Sequence, residues 1–553
     1  MTMDGTTGMQ TIRAGRIAGL GWWVLAVVAC LWVLAVNGRP LFYWDTVGYI
    51  DQGIGALEKV RLIAPQPKVT RADPQDAAGG TAGDGQTAGA GAPPTRPDTA
   101  APSAADPSAA DPSTAVPAGD GASAASADAA DPGTRKVTAG KSERTVDGSR
   151  SIFYSVVMGT LAHLRALELI PLIHAVVVIA AVWLSARAAR RIAAPGLSGP
   201  ATVALPLAAA ALGSMPFYVA YLMPDIFAPV MVLSVAALTA FLPRLTWAEA
   251  LGLSALAAIA LVSHLSHLAI ALLLVPTGLL VAAALRGGRW WLLALLMAGV
   301  IGAGFAQQAV IRLIAEKVAN SEVVIKPFIT ARLIQDKVGY RYLETHCPDP
   351  EVPTCALWSA LQKSPDPYRL TASHIIFERS ERLGSFRLMT EDDQIAVARN
   401  QMRFFFAVLR DQPVGTVMAL LKNTLIQAGM TSVNMTVPSD VIVKQHADVD
   451  GLAFGRFGLG RLGDGSAWLA VVNDVQGVWY AACLAVVAIL MLRPRGAPAE
   501  VRVFVLMILL GLLANAFVCG AISQPATRYG SRVVWLLPVA AAFLLMFRGR
   551  SRA

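Results

Sequence analysis

Ile17-Ala18-Gly19-Leu20-Gly21-Trp22-Trp23-Val24-Leu25-Ala26-Val27-Val28-Ala29-Cys30-Leu31-Trp32-Val33-Leu34-Ala35-Val36 is an unbroken apolar run. After Asn37-Gly38 it gives way to Arg39-Pro40-Leu41-Phe42-Tyr43-Trp44-Asp45-Thr46-Val47-Gly48-Tyr49-Ile50-Asp51. As a helix, the run is long enough to cross a hydrocarbon core of roughly 30 Å. It exceeds a signal-peptide core and no small-x-small cleavage pattern follows, so it reads as a retained anchor. The segment behind it sets two carboxylates and four aromatics against the end of a membrane helix. Tyr and Trp settle at membrane interfaces regardless of function. Asp45 is the informative residue: either an ordinary loop acid, or a group that meets something half in lipid and half in water.

The whole chain repeats this character. It has 553 residues, 55% of them hydrophobic and 15% charged, with a mean hydropathy of +0.53. A soluble protein carries about 25% charge. The composition predicts an all-α polytopic membrane protein. Its net charge of +9 is no nucleic-acid signal, because the basic residues sit in short clusters between apolar runs.

Those clusters orient the spans. Spans are expected near 17–36, 168–186, 200–216, 226–242, 247–264, 266–285, 290–309, 467–492, 500–519 and 532–547. Arg13 and Arg16 precede the first span, and Arg187, Arg190 and Arg191 follow the second. Arg244 follows the fourth, Arg286 and Arg289 the sixth, Arg493 and Arg495 the eighth. Arg548, Arg550 and Arg552 close the chain. Ten spans with both termini cytoplasmic satisfy the positive-inside rule at every cluster. The apolar stretches 201–242 and 247–285 are each too long for one span and read as hairpins turning on the outer side.

The chain then divides into residues 1–64 (first span and first outer loop), 65–147, 148–309 (spans two to seven), 310–466 and 467–553 (spans eight to ten). The second stretch is rich in Ala, Asp, Gly, Pro, Ser and Thr and repeats Ala-Ala-Asp-Pro, so it is expected to be disordered. Beyond it, Ser151 to Leu167 has the pattern of an amphipathic helix along the outer interface. The segment 310–466 reads as a mostly helical periplasmic region, either a small soluble domain or a set of helices laid over the membrane part. Within it, Thr390-Glu391-Asp392-Asp393 predicts a capped helix start running to Leu409, and Val414 to Ala428 a second helix stopped by Gly429. Cys347 and Cys355 flank a proline-rich loop on the oxidising side and are expected to form a disulfide. Cys30, Cys483 and Cys519 lie in spans as small apolar residues.

With this topology, the unusual polar residues near the membrane boundary collect on one face. They are Asp45, Tyr49 and Asp51; Tyr218, Tyr221 and Asp225; His264 and His267; and Gln524, Arg528, Tyr529 and Arg532. Arg528 and Arg532 break the positive-inside rule and lie four apart, hence on one helix face. Two guanidiniums there suit a phosphate; a snorkelling or carboxylate-paired role is the alternative. Asp225 either binds a ligand or caps the fourth span. His264 and His267 serve ligand contact or turn chemistry. A metal pair lacks an adjacent carboxylate, and no cofactor or divalent metal is called for.

Walker, His-Glu-x-x-His, Gly-x-Ser-x-Gly and Rossmann motifs are all absent from the sequence. The spans lack the acid or lysine relays of an ion-coupled pump. Trp44-Asp45-Thr46-Val47-Gly48-Tyr49, an acid directly behind span one with aromatics beside it, resembles the first outer loop of the C-type (GT-C) glycosyltransferases. That resemblance implies a GT-C-like helix bundle that takes a sugar from a polyprenyl-phosphate donor. It implies that Asp45 is the catalytic acid position, and that Arg528 and Arg532 hold the donor phosphate. Tyr49, Asp51, Asp225, His264, His267, Gln524 and Tyr529 would then contact substrate. The partners would be membrane lipid, the donor, and a glycan, lipid or protein acceptor, at the outer face of a bacterial inner membrane. A flippase of a lipid-linked glycan, or a non-catalytic subunit of a polysaccharide assembly machine, is the alternative.

Overall fold

The computed structural model describes residues 5–64, 145–193, 196–286, 290–378, 380–438, 460–463, 466–493 and 496–548. The low-complexity stretch lies outside these residues, except for its last three, Thr145–Asp147. They form a strand (β1) paired in parallel with Glu322–Val324 (β2). Every other regular element among the described residues is helical: α1 (Gly5–Asn37), α2 (Trp44–Lys59), α3 (Ile152–His163), α4 (Leu169–Arg190), α5 (Ala201–Ala211), α6 (Met215–Ala220), α7 (Phe227–Phe241), α8 (Trp247–Ser263), α9 (Leu265–Arg286) and α10 (Trp290–Ala319) come first. Then follow α11 (Phe328–Gln335), α12 (Val338–His346), α13 (Thr354–Leu361), α14 (Ala372–Phe377), α15 (Glu391–Asp411), α16 (Pro413–Gly429), α17 (Ser466–Leu492), α18 (Ala499–Ala516), α19 (Thr527–Val534) and α20 (Leu536–Met546).

Among the described residues, 8 helical stretches are long and apolar enough to cross a membrane. They match eight of the ten expected spans. The other two, α5 and α8, are equally apolar but short. α5 ends early because the chain turns at Gly213, where an added Cβ would sit 2.6 Å from the Tyr480 hydroxyl. That hydroxyl accepts the Ser214 backbone N–H at 2.7 Å. The protein is thus a multi-pass helical membrane protein, with eight helical stretches of membrane length among the described residues.

α7 lies at the centre. It is apolar on all sides and each of its residues is buried, as a helix without a polar face must be. α4, α8, α9 and α18 pack around it. The outer helices expose apolar residues instead. On α1, Leu20, Val24 and Val28 are 65%, 55% and 53% exposed, a surface suited to hydrocarbon.

The segment 310–466 is two things. α10 runs to Ala319, ten residues past its expected end, and residues from Val324 to Val408 enclose a core of their own that includes Leu333, Leu343, Leu357, Ile375 and Val397. Cys347 and Cys355 are disulfide-bonded there. Thr390 caps α15 by accepting the Asp393 N–H. α16, by contrast, packs against α18 and the π-helical turn Phe517–Ser523.

Candidate functional site

The loop behind α1 is locked to the turn between α6 and α7. Leu41 and Tyr221 form a parallel bridge, with Leu41 N donating to Ala220 O and Leu222 N to Leu41 O, both at 2.8 Å. Thr46 accepts the Tyr43 N–H at 3.0 Å, capping α2, and its hydroxyl donates to Leu222 O at 3.3 Å. Asp45 therefore starts a helix, where an anion is favoured, and stands beside the segment that carries Asp225.

α3 fixes the other side. α2 and α3 cross so closely that a Cβ on Gly53 would fall 1.8 Å from Ser155 O. Gly48 leaves room for the Arg150 guanidinium, which a Cβ there would meet at 2.7 Å. Arg150 thereby reaches Asp45 with Nη2 at 3.0 Å and Asp147 with Nη1 at 3.1 Å. Lys326 pairs with the same Asp147.

Arg528 in the first turn of α19 and Arg532 in its last complete the site from the far end of the sequence. Arg528 Nη1 lies 3.1 Å from Asp45 Oδ2, and its Nε 3.5 Å from Asp225 Oδ1. Arg532 Nη1 lies 3.2 Å from that same Asp225 oxygen. Lys326, Asp147, Arg150, Asp45, Arg528, Asp225 and Arg532 are thus one line of alternating charge. Exposure falls from Asp45 inward: the side chains of Asp45 and Arg150 are 35% and 29% exposed, Arg528 5%, and Asp225 and Arg532 are fully buried. Burial pushes the Asp45 carboxyl up, but Arg528 and Arg150 outweigh it and hold it at about 2. Asp147 is likewise lowered: burial opposes the shift, and Lys326 and Arg150 prevail. Asp45 is an anion at any physiological pH.

The two arginines differ in what they have left to give. Arg532 donates to Asn515 through Nε and Nη2 at 3.1 and 2.9 Å, and to Ser266 Oγ at 3.2 Å. With Asp225 on Nη1, its donors are engaged. Arg528 lies under Tyr43 and Tyr529, 5.4 and 5.1 Å from their ring centres. Its Nε and Asp225 Oδ2 are buried without a hydrogen-bond partner among the described residues. Tyr218 donates its hydroxyl to Arg528 O at 2.6 Å.

Of the remaining candidates, Tyr49 is buried one turn after Asp45, edge-on to Tyr154 at 5.3 Å. Asp51 is exposed and Gln524 half-buried. His264 Nδ1 accepts the Ser266 N–H at 3.1 Å, and Ser266 in turn meets Arg532. His267 Nδ1 bonds Ala260 O at 2.7 Å. The two rings lie 5.2 Å apart. Among the described residues no cluster of three or more His, Cys, Asp or Glu side chains is set to hold a metal.

Arg150, Asp147, Lys326, Ser266 and Asn515 were not singled out from the sequence. Asn515 was the legible one, since an amide inside an apolar span needs a partner. A groove of about 440 Å³ runs between α1, α5 and α17, with Leu25, Trp32, Ala211, Phe217, Val472 and Gln476 on its walls. Phe217 immediately precedes Tyr218. In comparisons with protein-family models, curated proteins and solved structures, nothing matches this chain.

Proposed function

We propose that this protein is a GT-C-type glycosyltransferase that uses a polyprenyl-phosphate-linked sugar at the outer face of a bacterial inner membrane, in envelope glycan or polysaccharide synthesis. The observation that carries this reading is the half-exposed Asp45 seated on Arg528 and Arg150. Transfer needs a base beside the acceptor hydroxyl and cations on the leaving phosphate. The charged line supplies both at one point, with four cations against three carboxylates, and so favours an added anion.

The step is a displacement at the anomeric carbon. The acceptor oxygen forms a bond to that carbon, the bond from carbon to phosphate oxygen breaks, and polyprenyl phosphate leaves. Asp45 receives the acceptor proton. A carboxylate held at about 2 is a weak base, and a phosphate that draws Arg528 and Arg150 toward itself weakens the field that depresses it. Donor binding thus prepares the base. Arg532, its donors already engaged, positions Asp225 and through it Arg528. The apolar groove between α1, α5 and α17 suits the hydrocarbon of the donor.

A flippase would use the same cations without bond cleavage. Against it, the polar line ends at Arg532 and Asn515, and α7 offers no charged residue to continue a path. The distinguishing experiment is analysis of lipid-linked sugars in a deletion strain. Accumulation in the outer leaflet supports transfer. Accumulation confined to the inner leaflet supports transport, and an unchanged lipid pool contradicts both.

A further inference from the structure

α16 is built inside out for water. Its buried residues are polar, Thr416, Asn423, Thr424 and Gln427. On the opposite side Val414, Val417, Met418, Leu421 and Leu425 are exposed by 75%, 46%, 60%, 52% and 74%. Their spacing of three and four residues places them on one stripe. The nearest charge, Lys422, is at the margin of the stripe, where a long basic side chain can reach the headgroups.

The polar face has partners. Asn423 accepts from Arg332 at 2.8 Å and donates to Asp336 at 2.7 Å. Gln427 pins Ala526 at both backbone atoms, accepting its N–H at 2.9 Å and donating to its carbonyl at 3.0 Å. Below them, α16 rests on the π-helical turn so closely that a Cβ on Gly520 would meet Asn423 O at 2.5 Å. That turn is the end of the membrane-length stretch Ala499–Ser523. The apolar stripe is therefore carried on the end of a span, and the chain reaches it through a bend of 116° from α15.

We propose that α16 is embedded in the bilayer as a re-entrant or interfacial helix, its Val414–Leu425 stripe against lipid hydrocarbon. The commitment is to lipid because the stripe is continuous with a membrane span and the amides of Asn423 and Gln427 are satisfied inward, away from hydrocarbon. The inference is independent of the glycosyltransferase reading. It has one structural consequence: a lipid-inserted helix holds Ala526, two residues before Arg528, and lies so close to α19 that a Cβ on Gly530 would fall 1.8 Å from Met430 O.

The test is spin labelling of the full chain in lipid nanodiscs, at Val417→Cys, Leu421→Cys and Leu425→Cys in turn. The free cysteines Cys30, Cys483 and Cys519 are buried and serve as an unlabelled background, checked with the parent protein. Val28→Cys supplies the lipid reference and Lys363→Cys the aqueous one. The expected result is oxygen collision several-fold above that of a water-soluble nickel complex at all three stripe positions, as at Val28. Nickel accessibility matching Lys363 would overturn the proposal. So would exclusion of both relaxants, which would mean that a protein surface or a second copy covers the stripe.

Discussion

Arg528 ties Asp45 to Asp225: one guanidinium sets Nη1 3.1 Å from the first acid and Nε 3.5 Å from the second. The loop behind the first span, the turn before α7 and the head of α19 are held together by this residue. Asp225 is fully buried, so the cation is needed for structure as well as chemistry.

Arg528→Ala leaves Asp225 with Arg532 alone and Asp45 with Arg150 alone. Removing one partner of a buried pair costs about 3–5 kcal/mol, and a clear drop in the thermal midpoint of detergent-solubilised protein is expected. Arg528→Lys keeps the charge without the fork and should recover part of that loss. A wild-type midpoint for the alanine variant would contradict the shared-guanidinium arrangement.

The crossing of α2 and α3 sets where Asp45 stands. Gly53→Ala drives a methyl into Ser155 O and must separate the helices, whereas an added Cβ at Gly55, two residues on, meets nothing within 4 Å. Gly53→Ala should lower both stability and donor binding. Gly55→Ala should match wild type in both assays, and equal behaviour of the two variants would refute the close crossing.

The pH dependence follows from the sign of the Asp45 shift. Its folded value, about 2, is below the ordinary 3.8, so its contribution to stability is present above about pH 4 and is lost as pH falls through 2. Asp147 is shifted the same way. Arg150→Gln removes a cation from both acids and relieves part of their depression, so less of its stability depends on pH and its fall of thermal midpoint between about pH 4 and 2 should be shallower than in wild type. Superimposable profiles of thermal midpoint against pH would contradict this.

Sidedness can be read with reporter fusions. Fusions after Arg191, Arg289 and Arg495 should report cytoplasm, and fusions near Pro350 and Gln524 the outside. A reversal at any of them would separate groups that the structure brings together.

The spans were legible because hydropathy over twenty residues is a strong, local signal, and Leu169–Arg190 or Ala467–Leu492 differs little from its expected bounds. α5 was not, because its early end depends on the distant Tyr480 hydroxyl. Asp45, Asp225, Arg528 and Arg532 could be named from the sequence, but their pairing could not. Arg150 meets Asp45 across the whole low-complexity stretch, and Lys326 joins through a strand of three residues. α16 shows a different limit: periodicity gives the stripe on a helix but not whether core or lipid faces it.

The central claim, that Asp45 takes part in moving a sugar off its lipid carrier, is tested most directly in membranes from a deletion strain complemented with wild-type protein or Asp45→Asn. Labelled polyprenyl-phosphate sugar is added, and the label leaving the lipid fraction is counted. The expected result is release with wild type and retention with Asp45→Asn, at equal protein level and donor affinity, the thermal midpoint falling only by the loss of the Arg528 and Arg150 pairings. Release by Asp45→Asn at the wild-type rate, or retention by both proteins, would contradict the assignment.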